Sequence, residues 1–122
     1  MNWEEFPCNC QYCKHRPPLR PPDLLRHLVA MIEEHFGRPA LLSSGARCAA
    51  KNSEIGGSTR SKHLEGIAID FSVPGIPTKD VHFWIDSGFP DKFGLGLYNN
   101  HVHLDVREGR ARWDFSDEKT KA

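Results

Sequence analysis

The chain has 122 residues, enough for one domain with a modest core. Its 16 basic and 16 acidic side chains cancel, so it lacks the basic excess that nucleic-acid binders carry. Apolar residues make up 39% and charged residues 26%, as in soluble globular proteins, and no apolar run approaches the ~18 residues of a membrane span.

Residues 1–6 are acidic and contain no apolar stretch, so no secretory leader is expected. The expectation is synthesis in the cytoplasm, with release by another route if the substrate lies outside. Cys8, Cys10 and Cys13 then crowd together, with His15 close behind, while Cys48 stands alone. A small structural metal site, reduced thiols and a disulfide are all open readings, since the spacing matches no standard zinc-finger pattern. No Cys–His–acid order surrounds the cluster, so a catalytic thiol is not expected. Pro7, Pro17, Pro18, Pro21 and Pro22 make residues 7–22 irregular chain. The expected organisation is one domain over residues 1–122, led in by an irregular Cys/Pro-rich segment at 1–22.

Asp23 is a candidate N-cap. Leu24, Leu25, Leu28, Val29, Ile32 and Phe36 recur at helical spacing up to Gly37, which predicts an amphipathic helix whose stripe packs inward. Residues 40–44 predict a short strand, and residues 45–60 a long loop, a kind of segment that often carries function in a small domain. Residues 66–73 alternate, with Ile67, Ile69 and Phe71 on one side and Ala68 and Asp70 on the other, and Pro74-Gly75 ends that strand. Thr78 can cap a second helix bearing Val81, Trp84 and Ile85, which stops near Gly88. Residues 94–98 and 101–107 predict a hairpin around Asn99-Asn100, a pair tolerant of left-handed φ. The fold class is α+β, a small antiparallel sheet with helices packed on one face.

Chemistry concentrates in two of these segments. His101, His103 and Asp105 sit at alternate positions of one strand and share a face, leaving Val102, Leu104 and Val106 for the core. Upstream, His63 ends a loop and Asp70 lies in the strand that follows, with Gly66 between them permitting a tight turn. Two His and one Asp are a frequent ligand set for a catalytic zinc with an open fourth position.

The run Ser61-x-His63-x-x-Gly66-x-Ala68-x-Asp70, with His101-x-His103 after it, resembles the signature of zinc D-alanyl-D-alanine carboxypeptidases and related murein endopeptidases of bacteria and phages. The hedgehog signalling domain shares their metal site. The resemblance extends through Ser43-Ser44-Gly45-Ala46-Arg47, with Ala46 in place of the usual aromatic residue. It continues through Asn52, Gly56-Gly57, Gly94-x-Gly96-x-Tyr98, His103-x-Asp105-x-Arg107 and Arg112-Trp113, covering roughly residues 6–113. It implies a hedgehog-like peptidase fold and zinc on His63, Asp70 and His103. It implies a monomeric peptidase, carboxypeptidase or endopeptidase, acting on peptidoglycan stem peptides or cross-links. A phage or prophage lysin fits that description. It also implies that Arg47 holds a substrate carboxylate or carbonyl oxygen and that Ser61 touches the substrate. By the same resemblance His101 is expected to stabilise the oxyanion or orient the site. Against these stand plainer readings, Arg47 as a surface cation and Ser61 as a turn residue.

One position departs from the pattern. Several relatives carry an acidic general base three residues before the last His ligand, and here that residue is Asn100. Asp105 is the candidate substitute, and its alternative role is a salt bridge with Arg107 or the orientation of a ligand His. The missing acid also leaves open a non-catalytic zinc module or a phage structural protein of the same fold.

Overall fold

Alternation along two neighbouring strands divides the sheet into an apolar and a polar face. A computed structural model describes residues 1–8, 10–13 and 19–117. His15, Pro17 and Pro18, part of the expected irregular lead-in, lie outside them. In β2 (Ala68–Ser72), Ile69 and Phe71 enter the core. In β4 (Val102–Asp105), Val102 and Leu104 do the same. The two strands pair antiparallel with Asp70 opposite His103 and Ala68 opposite Asp105. Side chains of directly opposed residues lie on one face within contact distance. The register that buries the core pairs therefore also puts Asp70 against His103.

The apolar face is covered by helices. α1 (Asp23–Phe36) buries Leu25, Leu28, Val29 and Ile32, and α3 (Thr78–Gly88) buries Val81 and Ile85. These join Ile69, Phe71, Leu95, Val102 and Leu104 in one cluster. Burying each such side chain is worth about 1.5–3 kcal/mol. α1 ends as expected on Gly37, whose left-handed conformation (φ 65°) lets its N–H reach the Glu33 carbonyl. Leu24, expected in the inward stripe, is 48% exposed on its flank. The cap positions belong to Pro22 and Pro77, and Asp23 and Thr78 are the first helical residues. Thr78 uses its hydroxyl elsewhere, donating to the Tyr98 carbonyl at 2.7 Å and tying α3 to the end of β3 (Phe93–Leu97).

The α+β class is as expected, but the sheet is mixed. Its order is β1-β2-β4-β3-β5, with β1 (Leu41–Ser44) and β5 (Arg110–Asp114) at the edges. β4 already has β2 and β3 as neighbours, so the chain leaving it crosses to a sheet edge, and it takes the edge of β3 rather than that of β1. Running back antiparallel to β4, β5 must lie parallel to β3. Arg112 fixes this corner, donating to Asp86 Oδ1 and to the carbonyls of Phe89, Lys92 and Phe93.

Three further expectations change. The loop at 45–60 contains a short helix, α2 (Ala49–Glu54), started by Cys48, whose Sγ accepts from the Lys51 N–H. The β3–β4 turn closes through a Tyr98 N–H to His101 carbonyl bond, yet neither Asn99 nor Asn100 takes positive φ. The start of the chain is ordered by packing. Asn2 caps a 3₁₀ turn, Trp3–Glu5, and Phe6 is fully buried with its carbonyl accepting from Ala46 N–H at 2.8 Å. No described helix is long and apolar enough to cross a membrane.

Phe6 is the apolar anchor of this N-terminal segment. Phe6→Ala should destabilise the fold by about 3–5 kcal/mol in denaturant unfolding, the usual cost of emptying a buried aromatic site. A change below about 1 kcal/mol would mean that the segment is not docked.

Candidate metal centre

The polar face of the sheet carries the site. Asp70 and His103 come from β2 and β4, and His63 enters from the loop before β2. That loop turns into the strand at Gly66, whose φ of 71° favours glycine. His63 Nδ1 lies 2.7 Å from the Gly45 carbonyl oxygen. A carbonyl only accepts, so Nδ1 carries the hydrogen and Nε2 presents a lone pair. That Nε2 lies 3.2 Å from Asp70 Oδ1. His103 is arranged in the opposite sense. Its Nε2 donates to Asp105 Oδ2 at 2.7 Å, which leaves the Nδ1 lone pair facing the same Asp70 Oδ1 at 3.1 Å.

Three electron-rich atoms therefore converge on one point, all within 4.8 Å of one another. Such an arrangement is repulsive unless positive charge sits among them. Protonation responds to the same demand. Burial works to raise the Asp70 carboxyl, but His103 and His63, which can each donate to it once the facing nitrogen takes a proton, outweigh burial and hold the group well below the usual carboxylate range. Burial likewise opposes charge on His103, yet bonding to Asp105 and Asp70 raises its pKa above the ordinary value. Two imidazoles and one carboxylate, each imidazole fixed through its second nitrogen, fit a zinc ion with an open position.

The centre opens into a cleft of about 340 Å³. Arg47, Arg60, Lys62 and Arg107 contribute to its lining; Lys62 and Arg107 are paired with Glu65 and Asp105, so Arg47 and Arg60 supply the positive charge that attracts anions. Arg47 is held there by Asn52 Oδ1 at 2.8 Å, with Ser44 Oγ at 3.4 Å. Ser61 also lines the cleft, and its Oγ accepts the His63 N–H at 3.2 Å, so it is a turn residue and a wall residue together.

The peptidase M15 family model matches residues 1–105 of this sequence. The chain belongs to the peptidase M15 family. M15 enzymes are zinc-dependent peptidases, and the donor set of this member suits that metal. No curated protein matches the chain.

In this M15 chain the expected site residues are not all placed alike. His63, Asp70 and His103 meet, and Arg47 and Ser61 stand beside them. His101 is not among the residues lining the cleft. It stacks on Tyr98 with ring centroids 4.3 Å apart, and burial lowers its pKa. Asp105 is fully buried and its acceptor sites are filled. Oδ1 takes Arg107 Nε at 2.7 Å and Arg107 N at 3.2 Å, while Oδ2 takes Arg107 Nη2 at 2.8 Å and His103 Nε2 at 2.7 Å. No lone pair remains to face a substrate, which favours the alternative of orienting His103 over that of a general base. Burial would raise this carboxyl, but bonds from Arg107 and His103 hold it well below the usual range. Glu65 pairs with Lys62 at 2.7 Å at the surface.

Tyr98 and Trp113 entered the sequence reading as family motif and Arg107 also as the alternative partner of Asp105, a pairing the structure shows, and all three line the cleft. Trp113 Nε1 donates to Tyr98 Oη at 2.9 Å, and its ring lies 5.0 Å from that of His103. The signal for this wall was the pair Gly94 and Gly96, which lie opposite Asp105 and His103 in β3. A Cβ on Gly94 would overlap the Asp105 carboxylate, and one on Gly96 the Trp113 indole. Gly94→Ala should therefore destabilise by about 1–3 kcal/mol through overpacking, measured by chemical unfolding. A neutral substitution would show that Asp105 has room to move.

Proposed function

We propose that this M15 zinc peptidase hydrolyses peptide bonds of peptidoglycan stem peptides or their cross-links, with the metal on His63, Asp70 and His103. The observation that carries the reading is the convergence of three lone-pair donors at the floor of a cationic cleft. Stem peptides are rich in carboxylates, which such a cleft attracts. A phage or prophage lysin released by other means fits the same chemistry.

Zinc, when bound, polarises the scissile carbonyl and makes water a usable nucleophile near neutral pH. The protein supplies the rest. Arg47, steadied by Asn52, presents a planar fork that suits a substrate carboxylate or carbonyl oxygen. Ser61 stands beside it to contact the peptide. The Gly45 carbonyl and Asp105 fix the tautomers and ring orientations of His63 and His103, so Asp105 is a positioning residue. His101, two residues before the ligand candidate His103 and kept neutral by burial, is our candidate for collecting a proton.

A second reading is favoured by one observation. Among the described residues, no cleft-lining carboxylate besides Asp70 stands ready to move a proton, and Asn100 fills the position of the family acid. A zinc-bearing binding module or phage structural protein of the same fold would need none. Digestion of purified murein, read by mass spectrometry, separates the two. The enzyme should release fragments with new peptide termini, whereas intact murein after exposure to zinc-loaded protein would favour the module.

Single His63→Ala, Asp70→Ala and His103→Ala variants should each lose most of their zinc by elemental analysis. Wild-type protein purified without chelator and metal-free would refute the ligand assignment.

Asp105→Asn tests the positioning role. It should weaken zinc affinity by about 10–100-fold. Its turnover at saturating zinc should fall far less. Unchanged zinc affinity with turnover down roughly 10²–10⁴-fold would instead make Asp105 the proton carrier.

A further inference from the structure

A second group of metal-ligand type lies apart from the cleft, and nothing in the peptidase chemistry uses it. Cys8, Cys10 and Cys13 lie in the segment that follows the N-terminal 3₁₀ turn, and Cys48 starts α2. The fold brings these four sulfurs to one place. Every pair lies within 4.8 Å, and the Cys10 and Cys48 sulfurs are 3.5 Å apart.

We propose that Cys8, Cys10, Cys13 and Cys48 form a closed four-thiolate site for a structural zinc ion. Four sulfurs each about 2.3 Å from one ion stand roughly 3.8 Å apart at tetrahedral corners, and the observed cluster is close to that size. Two disulfides would pair the sulfurs two by two and would not require each to be near all three others. The local backbone suits thiolates. The Cys13 N–H bonds to the Cys10 carbonyl at 3.0 Å, closing a turn between two cysteines whose sulfurs both belong to the cluster. The Lys51 N–H donates to Cys48 Sγ at 3.4 Å, which favours negative charge on that sulfur. With four protein ligands the ion has no open position, so its role is structural.

The site closes a link of consequence. Phe6 lies two residues before Cys8, and its carbonyl already accepts from Ala46. The metal would fasten the other side of the same contact, next to the segment that supplies the Gly45 carbonyl to His63 and the Arg47 guanidinium to the cleft. A metal so placed acts on the whole chain by joining two segments distant in sequence, as structural zinc sites do when binding energy becomes folding energy.

Cobalt(II) titration of the reduced, folded chain tests this directly. Two equivalents should bind, one to each candidate group. One of them should develop an intense near-ultraviolet thiolate-to-cobalt charge-transfer band, which nitrogen and carboxylate ligands do not produce. Cys48→Ser should abolish the band and one equivalent. A His63→Ala/His103→Ala variant should keep the band and lose the other equivalent, so the two sites fail separately. Zinc added to wild-type protein should also shield all four thiols from iodoacetamide, counted by mass spectrometry. The proposal is overturned if reduced wild-type protein, folded by circular dichroism, shows no thiolate band at saturating cobalt. It is equally overturned if the four cysteines alkylate at the same rate with and without zinc. Both readouts use wild-type protein, so they decide the matter even if Cys48→Ser does not fold.

Discussion

Two imidazole nitrogens and a carboxylate oxygen that aim lone pairs at one point repel each other, and much of this molecule is arranged to hold them there. His63 cannot turn away because its other nitrogen is bound to the Gly45 carbonyl. His103 cannot because Asp105 grips it from behind. Asp105 in turn stays an anion because Arg107 meets both its oxygens. Gly94 leaves the space that this buried carboxylate fills. Each part suits a site that holds positive charge at its centre.

The core and the centre are two faces of the same strands. Ile69, Phe71, Val102 and Leu104 bury one side, and Asp70, His103 and Asp105 occupy the other. A slip of one residue in the β2–β4 pairing would exchange the faces, placing charge in the core and apolar residues in the cleft. Hydrophobic burial therefore enforces the register that the metal centre needs. The site requires no separate device to align Asp70 with His103.

The loops bring a different kind of precision. Residues 45–48 supply the anchor for His63, the cleft arginine and the fourth sulfur of the cysteine cluster. This segment has little apolar content of its own. It is fixed by Phe6 packed under Gly45, where a Cβ would strike the Phe6 backbone, and by Asn52 bridging Arg47 and the Ser58 carbonyl. The N-terminal segment is thus a buttress for the cleft.

Periodicity with its stop signals was enough for α1, α3 and β2, because burial of one face leaves a pattern in the sequence that local geometry must obey, and the Asn99-Asn100 pair marked the β3–β4 hairpin though not the conformation of its turn. The Ser-x-His…Asp signature and His-x-His likewise marked the three candidate ligands, since a metal demands particular residue types at constrained positions. What the sequence could not decide depended on neighbours distant along the chain. The parallel placement of β5 follows from its joining the edge of β3 rather than that of β1. The position of Asp105 behind His103 follows from Arg107 and from the space at Gly94, where an alternating strand pattern shows only a polar face. The partnership of Cys48 with Cys8, Cys10 and Cys13 required the docking of Phe6. Local sequence records which side of an element is apolar; which polar groups then meet, and whether their lone pairs are already taken, is set only when the faces close on one another.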